Sequence, residues 1–365
     1  MEAIFFPRND YPNNIEVCSH RYGCSMAYTE QTDDLKNTSP DTPYTWIVPY
    51  AKSKNIKVGG FVNVNKGQIS PMNGLKEDYD NGYIWLDAYS LTPNLAEYIR
   101  PTGSHYGEDI TQEMWNEAYN NYILPIFYNF TGVKPIALSY SYGKDTFKNY
   151  ILQFLGARNS NNNGNTNYGV GFGSPNNIPY TWQSYNSCES TTRWYNAEKI
   201  KPTQDWAAAI LAQGNLIDAT KLNGGWINNF THWHDVVSDG NQEIYEDYID
   251  MLAQKNVNNE IWFCGYGEAL SYLVYRQIIT KAVMYSPNSD ATNKLVIRLE
   301  TINNLGIDAD LLQVPISVKF STIGTPLAGQ TIKSNCNLIS LGSGQYIVEI
   351  PYAKYPGAVI EKVSI

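Results

Sequence analysis

Two of the chain's four histidines lie together at the end of one largely apolar run, Gly224-Gly225-Trp226-Ile227-Asn228-Asn229-Phe230-Thr231-His232-Trp233-His234-Asp235. Imidazole titrates near neutral pH unaided and is the commonest metal ligand, so His232 and His234 are candidates for acid–base work or metal binding. Their i, i+2 spacing aims both side chains to one face if the strand persists. Three other groups could join them. Asp33-Asp34 follows a strand-like stretch. His105, in Gly103-Ser104-His105-Tyr106-Gly107-Glu108-Asp109, has a carboxylate four residues on, and Tyr140-Ser141-Tyr142-Gly143 closes another strand. Each group falls after a strand, which is how a rim site is assembled from distant segments.

The elements that must position these groups alternate along the chain. Residues 25–29 read as a strand that runs into an acidic turn at 31–34. Residues 44–54 have helical spacing, with Trp46, Ile47, Tyr50 and Ala51 on one side, and a strand follows at 56–64, interrupted by Gly59-Gly60. Thr111 is placed to cap a helix through Met114, Trp115, Ala118, Tyr122 and Ile123. Residues 135–140 are strand-like, and the Asn-rich stretch 159–167 is an exposed loop. Residues 206–213 are helical. Asp239 and Gln242 form a capping box for a helix bearing Ile244, Tyr248, Met251 and Leu252. A strand at 261–263 and a helix at 268–277 complete a pattern that predicts an α/β sheet or barrel. After a turn-rich break at 286–290 only short strands remain, at 295–299, 316–320, 345–350 and 359–363, which predicts a small β-sandwich. The expected domains are therefore 1–285 and 293–365.

Composition narrows the function classes. With 365 residues, 43% hydrophobic and 17% charged, the chain is globular with a weakly charged surface. A net charge of −9 argues against a nucleic-acid partner, whose phosphates demand a basic face. Its 29 tyrosines and 9 tryptophans are the residues that stack on sugar rings and anchor polar interfaces. Five cysteines without a CxxC pair are neither a disulfide framework nor a structural zinc site. No run is long enough for a membrane span, and the N-terminus does not read as a signal peptide. The expected setting is a cytoplasm, a virion assembled there, or the extracellular space after trimming.

In their order these groups resemble the motifs of the polysaccharide deacetylase superfamily, the NodB-homology or family 4 carbohydrate esterases. The first motif of that family, Thr-Phe-Asp-Asp-Gly, is similar to Gln31-Thr32-Asp33-Asp34-Leu35. The second, Gly-Ser-His-x-x-x-His, is similar to Gly103-Ser104-His105 through Asp109, and the third, Tyr-Pro-Tyr-Gly, to Tyr140-Ser141-Tyr142-Gly143. The closing Gly-Gly-Trp strand with its histidine matches Gly224-Gly225-Trp226 through His232, followed by the segment from Glu260 to Leu273. The resemblance spans residues 20–280.

It implies a distorted (β/α) barrel of the polysaccharide deacetylase type, followed by a small all-β sandwich domain. Its implied activity is metal-dependent removal of acetyl groups from a surface or dietary polysaccharide. The Asn- and Tyr-rich, weakly charged composition and the all-β tail suit a phage tail or baseplate component and equally a trimmed secreted enzyme. Asp33 becomes the general base, Asp34, His105 and Asp109 the metal ligands, and His232 or His234 the general acid. Tyr142, Tyr140, Trp233 and Arg158 become substrate-binding residues. The implied cofactor is a divalent metal, zinc first, with cobalt, nickel and manganese as alternatives. The implied partner is an acetylated polysaccharide, with homo-oligomer or virion assembly through the C-terminal domain. Three residues depart from the family pattern. Asp109 stands for a histidine, which makes the ligand set harder and favours oxygen-loving metals. Leu35 stands for a glycine, and Ser139 for the arginine that orients the base, a task Arg158 takes over only if the fold brings it close. These departures sustain a second reading, a catalytically degenerate deacetylase fold that binds glycans or serves as a structural virion component.

Overall fold

A computed structural model of the chain describes residues 8–35, 44–64, 75–99, 110–140, 153–159, 188–189, 206–233, 236, 242–287, 293–302, 308–352 and 357–363. In chain order its strands are β1 (Arg8–Asp10), β2 (Ile15–Val17), β3 (Met26–Leu35), β4 (Val58–Val62), β5 (Ile84–Tyr89), β6 (Ala137–Ser139), β7 (Gly156–Asn159), β8 (Cys188–Glu189), β9 (Trp226–Thr231), β10 (Ile261–Phe263), β11 (Ile279–Pro287), β12 (Lys294–Thr301), β13 (Ile316–Ser321), β14 (Ile332–Ser334), β15 (Asn337–Gly342), β16 (Gln345–Ile350) and β17 (Gly357–Lys362). The chain divides into two units, Ser25–Leu270 and the pair of segments Met1–Cys24 and Ser271–Ile365.

The unit Ser25–Leu270 is built on a parallel sheet in the order β10-β3-β4-β5-β6-β7-β8, with β9 on the other edge of β3. β4 and β9 are buried along their whole length, as parallel strands covered on both faces must be. Gly59 and Gly60 do not interrupt β4. A Cβ on Gly60 would come within 2.6 Å of Leu35 Cδ2, so the glycine lets β3 and β4 pack closely.

Helices lie between the strands. Tyr44–Ser53 buries Tyr44, Ile47, Val48 and Ala51, whereas Trp46 and Tyr50 stay half-buried. The Trp46 indole donates to Glu246 at 3.1 Å and the Tyr50 hydroxyl to Asp250 at 3.0 Å, which ties this helix to Gln242–Lys255. Thr111 caps its helix as expected, its hydroxyl accepting from the Met114 N–H at 3.3 Å. That helix passes at Ala118–Ile123 through a π-helical stretch before Leu124–Thr131.

The second unit carries two antiparallel sheets, β1-β11-β12-β17-β14 and β15-β16-β13-β2. Four of its strands fall where the sequence placed strands, at β12, β13, β16 and β17. The N-terminal segment pairs here too, β1 with β11 and β2 with β13, whereas the sequence reading grouped residues 1–285 together. Strands of three residues leave no periodic signal, and their partners lie some 270 to 300 residues away along the chain. Arg21 fixes the same segment with a two-pronged contact to Glu349, at 2.8 and 3.2 Å.

Candidate active site at the strand ends

β3 carries the first candidate group, and it is longer than its sequence suggested. Residues 31–34 continue the strand instead of turning. They can do so because their polar side chains find partners on both faces. On one face Thr29 accepts from the Trp226 indole at 2.8 Å, Gln31 donates to Asn228 at 2.8 Å, and Asp33 accepts from Ser139. On the other, Tyr28 and Glu30 meet the helices. A buried polar strand of this kind is tolerated only when its groups are hydrogen-bonded.

The end of β3 is irregular where the two aspartates sit. Thr32 faces Gly60 and Leu35 faces Val62, so Asp33 and Asp34 together stand against Phe61. This is a β-bulge, a device that re-aims side chains at sheet rims. Thr32 braces it: its hydroxyl donates to the Asp33 carbonyl at 2.9 Å and accepts from the Trp233 N–H at 3.1 Å.

Asp33 is buried, and its Oδ1 accepts from the Ser139 hydroxyl at 3.3 Å. Ser139 ends β6, where it pairs with Tyr89 on one side and Arg158 on the other. Arg158 therefore stands in register beside the residue that touches Asp33. On β9, Thr231 pairs with Thr32 and the strand stops there. His232 follows directly, half-buried, with its ring edge-on to Phe230 at 6.3 Å between centroids. Because Trp233 is already helical, strand alternation no longer relates His232 to His234.

Tyr140 and Trp233 are closed to solvent, each 1% exposed. Both belong to the hydrophobic core, and the Trp233 indole donates to Tyr245 at 3.2 Å. His105, Asp109, Tyr142, His234 and the side chains of Asp34 and Arg158 lie outside the described residues. Among the described residues no three His, Cys, Asp or Glu side chains form a group able to hold a metal ion. The expected ligand set, two carboxylates and an imidazole, is by its chemistry suited to a divalent cation.

Two buried carboxyls near these strands were not singled out by sequence. Glu30 is fully enclosed, and burial pushes its carboxyl up to about 7 against hydrogen bonds from Asn229, Tyr245, Tyr248 and Thr231 that lower it. Asp87, on β5, is raised to about 7 for the same reason while accepting from the Gly267 N–H at 2.7 Å and the Ala137 N–H at 3.1 Å. For Asp87 the readable signal was a charged residue between apolar neighbours, Leu86 and Ala88; Glu30, between Thr29 and Gln31, gave none.

No family model matches the sequence, and no curated protein matches it either. Among solved structures the chain is similar to a protein assigned as a polysaccharide deacetylase from Mycobacterium smegmatis, at 13% identity over 73% of this chain and 96% of that one, with a TM-score of 0.45. It is similar to the Puue allantoinase at 11% identity over 70% and 92%, TM-score 0.46. It is also similar to a family 4 carbohydrate esterase from Streptomyces lividans in complex with acetate, at 11% over 66% and 92%, TM-score 0.38. Among the described residues no helix is long and apolar enough to cross a membrane.

Proposed function

We propose that the chain is a metal-dependent hydrolase that removes acetyl groups from a polysaccharide, with Asp33 as its general base. One observation carries this reading. A bulge at the end of β3 sets Asp33 against Ser139 of β6, and the parallel neighbour β9 ends one residue before His232. A base and an acid drawn from separate parallel strands to one rim are what acyl transfer needs.

Asp34, His105 and Asp109 are the residues that would hold the cation, which when bound polarises the acetyl carbonyl and makes water more acidic. Asp33 takes the proton of the attacking water. Ser139, donating to Oδ1, holds the Asp33 carboxylate in one orientation. His232, or His234 beyond it, gives a proton to the departing amine or alkoxide. Arg158 and Tyr142 contact the glycan, and the antiparallel unit serves assembly.

Metal content of the purified protein tests the site. Stoichiometric metal in the wild type, lost in both Asp34→Ala and His105→Ala, supports the reading. No uptake after soaking with zinc, cobalt, nickel or manganese overturns it and favours a glycan-binding scaffold, the outcome that Ser139 and Asp109 in place of the family's residues would then explain.

A further inference from the structure

Glu30 is a buried acid that the proposed chemistry does not use, and it lies on β3, the strand of the candidate base, against β9, which ends just before the candidate acid. It pairs in register with Asn229, three residues before Asp33 on its own strand and opposite a residue three before His232. Its Oε2 accepts from Asn229 Nδ2 at 2.6 Å and from the Tyr248 hydroxyl at 2.8 Å. Its Oε1 accepts from the Tyr245 hydroxyl at 2.8 Å and makes a longer contact with Thr231 Oγ1 at 3.5 Å. Asn229 Nδ2 also donates to Tyr248 at 2.9 Å, and Tyr28 and Gln213 extend the chain of bonds. All four contacts to Glu30 are neutral donors, and no ion pair to it occurs among the described residues. A carboxyl placed so is costly to bury and does not serve as the centre of an ion pair. What it does is hold the last residues of β9 and the helix Gln242–Lys255 to one point on β3.

We infer that Glu30 is a positioning residue: by gathering Asn229, Thr231, Tyr245 and Tyr248, it fixes the end of β9 against the end of β3 and so sets the spacing of His232 from Asp33. This rests on the functional reading above for its catalytic consequence, but the placement of His232 can be read without it. Displacements on the order of 1 Å at a reacting group lower rates steeply.

The test compares Glu30→Gln with the exchanged pair Glu30→Gln/Asn229→Asp, in which carboxyl and amide trade places within reach of Tyr248. With only four histidines, imidazole NMR signals separate well, and His232→Asn assigns the relevant one. In Glu30→Gln the His232 signal shifts while that of His20 stays. The kcat for acetate release falls about tenfold with KM within about twofold, and the exchanged pair recovers both. A folded Glu30→Gln protein with wild-type His232 signal and kcat overturns the inference. If the wild type releases no acetate, the functional reading fails and the His232 signal alone decides. If Glu30→Gln does not fold, Tyr248→Phe is read the same way: a shifted signal supports the inference and an unchanged one overturns it.

Discussion

Ser139 donates its hydroxyl to Oδ1 of Asp33 at 3.3 Å, although the two residues lie three strands apart in the sheet order β3-β4-β5-β6. In a flat sheet, neighbours spaced by about 4.8 Å would leave these backbones roughly 14 Å apart. Two short side chains cannot bridge that gap. The sheet must therefore curl, and its curl is what brings Asp33 at the end of β3 to Ser139 at the end of β6.

That contact gives Ser139 a measurable effect. A neutral hydrogen bond to a buried carboxylate stabilises one orientation by about 1 kcal/mol or somewhat more. Ser139→Ala is expected to lower kcat for acetate release about five- to tenfold, with metal content unchanged. Equal kcat in the two proteins would mean that Ser139 does not hold the base.

Stability should depend on pH through Glu30 and Asp87. Each has a folded-state value of about 7, above ordinary values of 4.5 and 3.8. The folded chain thus keeps protons that the unfolded chain releases between about pH 4 and 7. This contribution is fully present below the unfolded values and is lost as pH rises through 7. The thermal midpoint of the wild type should fall from pH 5 to pH 8 by more than that of Glu30→Gln or Asp87→Asn. Parallel curves in wild type and both variants would refute the assignment.

Gly267 should tolerate no side chain. Its N–H is held by Asp87 at 2.7 Å, and an added Cβ would lie 2.3 Å from Asp87 Oδ1. The carboxyl cannot retreat, because its other oxygen is the one held and Oδ1 itself accepts from Ala137. Overpacking of this sort costs about 1–3 kcal/mol. Gly267→Ala is expected to unfold at lower urea concentration than the wild type. Retention of the wild-type midpoint by Gly267→Ala would show that the pocket is looser than its geometry.

The sequence carried the parts of the fold that local chemistry specifies. Thr111 as a cap, Trp226 to Thr231 as a buried strand and Ile261–Phe263 as another follow from side-chain type and period. The end of β3 did not, because Glu30, Gln31, Thr32 and Asp33 look like a solvated turn until their distant partners on β6, β9 and the helices are in place. β5 escaped notice for a similar reason, with Asp87 breaking an otherwise apolar run. Ser139 read as the loss of an arginine. Only the curl of the sheet makes it the residue that touches Asp33.

Acetate release from an acetylated glycan panel, chitin oligosaccharides and acetylated xylan included, tests the central claim most directly when wild type and Asp33→Asn are assayed side by side with added divalent metal. The wild type should release acetate, and Asp33→Asn should be slower by about a hundredfold or more at unchanged thermal midpoint. Equal release by the two proteins, or none from a wild type that binds metal, would contradict it.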